Sequence, residues 1–156
     1  MERKSNLKPR IGLYTMGLRH YWGQFAGMEE RMKHYGAFIA QKLEAMGAEV
    51  VRYDLVDTED TGLEAGEMFN AHNVDLIFAH AGTYVNSSCV LPVHQACNAP
   101  VVVLNLQPTT RINYAKTTTG EWLAHCGACP VPEIVNALHR AGINCEVING
   151  LLGMSE

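Results

Sequence analysis

Ile11-Gly12-Leu13-Tyr14-Thr15-Met16, followed directly by Gly17-Leu18-Arg19-His20-Tyr21-Trp22-Gly23, joins a mostly apolar run to a glycine-bounded loop carrying Arg, His, Tyr and Trp. The apolar run has the length of an early buried strand. Open α/β sheets bind ligands outside the carboxyl ends of their strands, so the loop lies where a sugar or a phosphate is held. Beyond it, Phe25, Met28, Met32, Tyr35, Ile39, Leu43 and Met46 recur every three or four residues until Gly47. That is the stripe of one helix, closed by a glycine.

Working outward, the same alternation repeats. Glu49 to Leu55 reads as a second strand, Leu63 to His72 as a second helix, and Val74 to Phe78 as a third strand entering the polar turn His80-Ala81-Gly82-Thr83-Tyr84. Val85 to Asn98 reads as a helix, Val101 to Leu104 as a central strand, Pro132 to Gly142 as the last helix and Cys145 to Ile148 as the fifth strand. Strands separated by helices imply parallel crossovers, with both sheet faces covered. The expected fold is therefore a flavodoxin-like, doubly wound three-layer α/β domain, its five-stranded parallel sheet in the order 2-1-3-4-5. The loops after strands one, three and four then share one edge. They carry Arg19, His20, Tyr21 and Trp22; His80, Thr83, Tyr84, Asn86, Ser87 and Ser88; and Asn105, Gln107, Thr109, Thr110 and Arg111.

Composition narrows the function classes. A chain of 156 residues with 47% hydrophobic content suits one domain with a substantial core. A formal charge of -4, with 12 basic residues, offers no basic stripe, so nucleic acid is not an expected partner. No apolar run approaches the ~20 residues of a membrane span, and the polar start Met1-Glu2-Arg3-Lys4-Ser5 lacks an apolar leader segment. A cytoplasmic location follows, and five cysteines, an odd number, point to reduced thiols without a structural disulfide. Neither a phosphate-binding Gly-x-x-x-x-Gly-Lys-Ser/Thr motif nor a Gly-x-Gly-x-x-Gly turn is present, although Ser/Thr-rich loops leave a flavin open.

Cys126-Gly127-Ala128-Cys129, with His125 before it and Pro130 after it, has the spacing of a redox pair or of half a zinc site. It comes late in the chain for a thioredoxin-type motif, and no second ligand pair accompanies it. His72, His94 and His139 fall in helical patterns and read as surface or half-buried residues. Glu29-Glu30 and Glu59-Asp60 read as helix-start or turn charges.

The order of Met16 to Gly23, Leu76 to Tyr84, Pro100 to Leu106 and Leu123 to Gly127 resembles the N-terminal domain of L-arabinose isomerases and the related L-fucose isomerases, from about Pro9 to Gly150. The resemblance implies an aldose–ketose isomerase. In such enzymes a manganese ion polarises the sugar carbonyl while two glutamates move a proton through an enediol. Those glutamates and the metal's histidine ligands belong to later domains, so the resemblance implies a truncated chain, inactive alone, with no catalytic or metal-ligating residues of its own. It places His20, Tyr21 and Trp22 in the sugar pocket, and His125 in the pocket of a neighbouring subunit of a homo-oligomer. The substrate would be a pentose or a deoxyhexose. The alternative is a stand-alone flavodoxin-like module binding a sugar or a flavin, and a third reading is a thiol oxidoreductase acting through Cys126 and Cys129.

Overall fold

The computed structural model describes residues 8–154. Its five strands are β1 (Arg10–Met16), β2 (Glu49–Val56), β3 (Leu76–Ala81), β4 (Val101–Gln107) and β5 (Cys145–Leu151). They form one sheet in the order β2-β1-β3-β4-β5, with every neighbouring pair parallel. The expected topology is the one observed. From β1 the chain steps outward to β2, then returns to lay β3 on the other side of β1. β1 and β3 stay paired to their last residues, Met16 and Ala81, and the connections that leave them in opposite directions part to leave a crevice at that edge.

The helices are α1 (Arg19–Trp22), α2 (Met28–Ala45), α3 (Glu59–Ala71), α4 (Ser87–Ala96), α5 (Thr119–Leu123) and α6 (Pro130–Arg140), with a 3-10 turn over Cys126–Ala128. Alternating strand side chains feed two cores. Tyr14, Met16, Ile77, Ala79, Val101 and Val103 point to the face covered by α3, α4 and α6, where they pack with Phe69, Val90, Val93, Ile134 and Leu138. Truncating Phe69, which is fully buried, to Ala removes enough packed volume to cost about 3–5 kcal/mol. Leu13 and Leu104 point to the other face, against Ile39 and Ala40 of α2. Phe78, Val102 and Leu106 are only partly buried there.

α3 and α4 approach backbone to backbone. A Cβ at Gly62 would run into the Cys89 carbonyl, and one at Gly66 would lie 2.5 Å from the Val93 carbonyl oxygen. These two glycines set the spacing of that layer.

Several boundaries differ from the expected ones, for local reasons. α3 starts at Glu59 because Thr58 and Thr61 form a reciprocal cap, so Glu59-Asp60 occupy the first turn, where the helix dipole favours them. β3 runs on to Ala81, which moves His80 from the expected turn into the sheet, buried, with its Nδ1 3.3 Å from the Thr15 hydroxyl. His94 is also buried rather than half-buried or at the surface: its Nε2 lies 3.0 Å from the Tyr14 hydroxyl. Burial disfavours the imidazolium and pushes both rings down to about 4. All five cysteines are free.

Candidate functional site

The carboxyl edge of the sheet divides into two unlike halves. Beside β1 and β2, Asp57 follows β2 directly and is buried. Its carboxylate accepts hydrogen bonds from the Trp22 indole at 2.6 Å and the Arg19 guanidinium at 2.9 Å, both on α1. The Thr61 hydroxyl also donates to it, at 3.3 Å, while accepting from the Asp57 backbone N–H. The hydrogen bond to Asp57 and its charge hold the Arg19 guanidinium above its ordinary value. The Trp22 ring lies over Gly17, where a Cβ would come within 2.5 Å of it. Any larger residue at 17 would displace the indole from Asp57.

Tyr21, on the same short helix, packs edge-on against Phe25 with ring centroids 5.7 Å apart. Burial, then the nearby Cys126 and Cys129, raise its phenol. Gly27, at φ +77, makes the left-handed turn that releases the chain into α2.

Beyond α1 the edge is open, between the start of α2 and the segment that follows β4. Thr118 and Glu121 cap α5 reciprocally: the Thr118 hydroxyl accepts from the Glu121 N–H, and the Thr118 N–H donates to the Glu121 carboxylate at 2.9 Å. Between this cap and the start of α2 lies a cleft of about 530 Å³ lined by Gln24, Phe25, Ala26, Met28, Arg31, Thr118, Thr119, Gly120 and Glu121. Phe25 closes one wall, tight enough on Gly120 that a Cβ there would sit 3.1 Å from its ring. A second hollow of about 230 Å³ shares Arg31 and Glu121 and adds Thr109, Arg111, Ile112, Asn113, Lys116, Thr117 and His125. Glu121 is the one carboxylate in the two walls, against Arg31, Arg111 and Lys116. None of these three cations forms an ion pair among the described residues.

The sequence-predicted residues are divided between the halves. Trp22 belongs to the closed half, with its one donor already engaged. His20 is exposed beside it, and its carbonyl accepts from Gln24. Tyr21 lies toward the thiols of the open half. His125 lines the second hollow, its ring nitrogens 2.9 Å from the Thr109 hydroxyl and 2.7 Å from the Glu121 carbonyl. Both nitrogens are thereby occupied and the ring is fixed.

Sequence reasoning passed over Asp57, Arg31, Glu121 and Glu133. Asp57 had a legible signal, a carboxylate placed directly after an apolar strand end. Glu133 had none: its carboxylate reaches from α6 to the backbone N–H of Ser87 at 2.9 Å and the Tyr84 hydroxyl at 3.0 Å, partners 46 and 49 positions away. Burial alone would raise Glu133, but these hydrogen bonds outweigh it and hold the carboxyl below its usual range.

Among the described residues no group of three or more His, Cys, Asp or Glu is placed to hold a metal, and no helix is long and apolar enough to cross a membrane. No protein-family model and no curated protein matches the sequence. Solved structures do. A LacI-family transcriptional regulator from Rhizobium etli is 12% identical, with 90% of this chain and 56% of that one covered and a TM-score of 0.43. The Lac repressor dimer bound to operator and the anti-inducer ONPF is 16% identical, with 94% and 48% covered and a TM-score of 0.45. An ABC-transporter solute-binding protein from Burkholderia multivorans is 14% identical, with 92% and 60% covered and a TM-score of 0.40. The chain spans about half the length of the first two, 56% and 48%.

These structures are regulators and a solute-binding protein, not L-arabinose or L-fucose isomerases, and the isomerase assignment is corrected accordingly. The shared order of strands and loops that suggested it is what any doubly wound sheet of this topology produces.

Proposed function

We propose that this chain is a binding module for a small hydroxylated ligand carrying an anionic group, such as a sugar acid or a sugar phosphate. The observation that carries the reading is the pair of joined hollows at the carboxyl edge, with Arg31 and Glu121 in both walls. A polyhydroxylated ligand needs fixed donors and acceptors around it and a small apolar surface for its C–H face. Gln24, Thr118, Thr119 and the Glu121 carboxylate supply the first, and Phe25 with Met28 the second. Arg31, Arg111 and Lys116 outnumber Glu121 and favour a negative ligand, Arg31 being able to grip a carboxylate or phosphate with two parallel N–H donors.

His125 contributes in this reading as a fixed wall and Tyr21 as the ring packed against Phe25, while Trp22 positions α1 through Asp57. The test is a thermal-shift screen of the purified chain with neutral monosaccharides, sugar acids, sugar phosphates and riboflavin phosphate. Stabilisation by an anionic sugar, reduced in Arg31→Ala, supports the reading. Stabilisation by the flavin alone, or by no compound, overturns it.

A further inference from the structure

Cys126 and Cys129 close a single tight turn. The Cys129 backbone N–H donates to the Cys126 carbonyl at 3.0 Å, and a turn of this kind keeps the first and fourth Cα atoms within about 7 Å, the separation beyond which a disulfide needs backbone movement to close. The two thiols are unequal: Cys126 is buried and Cys129 exposed. Between them, a Cβ at Gly127 would meet the Ala81 carbonyl oxygen at 2.8 Å and Asn105 Oδ1 at 3.2 Å. The turn is therefore seated against the ends of β3 and β4 and holds its shape without a covalent link. No third His, Cys, Asp or Glu stands near enough to make the pair a metal site among the described residues.

We propose that Cys126 and Cys129 are a reversible dithiol–disulfide pair that exchanges with low-molecular-weight disulfides of the glutathione class. Cys129, the accessible sulfur, attacks one sulfur of the small disulfide as its thiolate. The S–S bond breaks, a protein–glutathione mixed disulfide forms, and one glutathione thiolate leaves and takes up a proton. Cys126, deprotonated in turn, attacks Cys129 Sγ; the Cys126–Cys129 bond forms and the second glutathione leaves as its thiol. The protein loses two electrons and two protons, and the small disulfide gains both. The second cysteine of the motif is thus the attacking one, because it is the one solvent reaches. Burial and the neighbouring Cys129 both raise the Cys126 thiol, consistent with a resolving role that begins only when Cys129 is derivatised.

The test is incubation of the folded chain with oxidised glutathione, followed by alkylation under denaturing conditions and peptide mass mapping. The expected result is two fewer alkylated thiols out of five, a linked Cys126–Cys129 peptide without retained glutathione, and full recovery of both thiols with dithiothreitol. Cys126→Ser is expected to accumulate glutathione on Cys129, and Cys129→Ser to leave Cys126 unmodified. Circular dichroism establishes that each variant is folded, with Cys126→Ala replacing Cys126→Ser if the buried hydroxyl is not tolerated. A parent chain that keeps all its thiols, or that holds glutathione on Cys129 without forming the link, overturns the proposal.

Discussion

The two halves of the sheet's carboxyl edge are built from similar residue types and do opposite things. Beside β1 and β2, a buried carboxylate gathers an indole, a guanidinium and a hydroxyl, and the loop closes on itself. Between α2 and the segment after β4, Glu121 gives one carboxylate oxygen to a helix cap and keeps the other for the cleft, and three cations in the adjoining walls keep no ion-pair partner among the described residues. Polar side chains with one another as partners build structure. Polar side chains left facing a cavity are available to a ligand, and only the second half offers that.

The largest expected effect bears on the fold beneath both halves. His80 and His94 are held neutral by burial, pushed down to about 4, against about 6.5 in the unfolded chain. The unfolded state therefore binds more protons between those values. The stability from the neutral rings is fully present above about pH 6.5 and is lost as pH falls toward 4, on the order of 3 kcal/mol per histidine. Urea melts at stepped pH are expected to show midpoints falling steadily through that window. A flat profile would mean that water reaches both rings, and half the fall that it reaches one.

Breaking the closed half comes next. Asp57→Ala leaves the part-buried Trp22 N–H without its charged acceptor, while the exposed Arg19 turns to water, and is expected to cost about 2 kcal/mol. Asp57→Asn keeps an acceptor oxygen and should cost less. Trp22→Phe retains a ring over Gly17 but loses the indole bond, for roughly 1 kcal/mol. Chemical denaturation orders the three, and the reverse order would place the strength of this half in the ring rather than in the carboxylate.

The smallest effect on stability and the sharpest test of the open half is Gly120→Ala. Its Cβ would stand 3.1 Å from the Phe25 ring, so the ring must give by a few tenths of an ångström and the added methyl occupies space between two residues that line the cleft. Stability is expected to change by less than about 0.5 kcal/mol, while the pocket narrows. Ligand-induced thermal shifts should fall without a fall in the melting temperature of the free chain.

The sheet order was legible because apolar strand runs and helical stripes are written locally: Ile11 to Met16, Val101 to Leu104 and the Phe25 to Met46 stripe each carry their own period. The interior polar contacts were not. The fate of His94 depended on Tyr14, 80 positions away, and that of Glu133 on Tyr84 and Ser87. The loop residues His20, Tyr21, Trp22 and His125 were found because aromatic and imidazole groups are conspicuous after a strand. Which of them close a loop and which face a cavity depends on partners such as Asp57 and Thr109, from other elements. Arg31 was hidden on the polar side of a well-formed helix.

Isothermal titration of one sugar acid and one sugar phosphate into the parent chain and Arg31→Ala tests the central claim most directly. A saturable isotherm in the parent, weakened about tenfold or ~1.4 kcal/mol by Arg31→Ala, is the predicted result, since one charge-assisted bidentate contact is removed. Absence of heat in the parent, or equal affinity in the two proteins, would contradict the placement of a binding site in the open half.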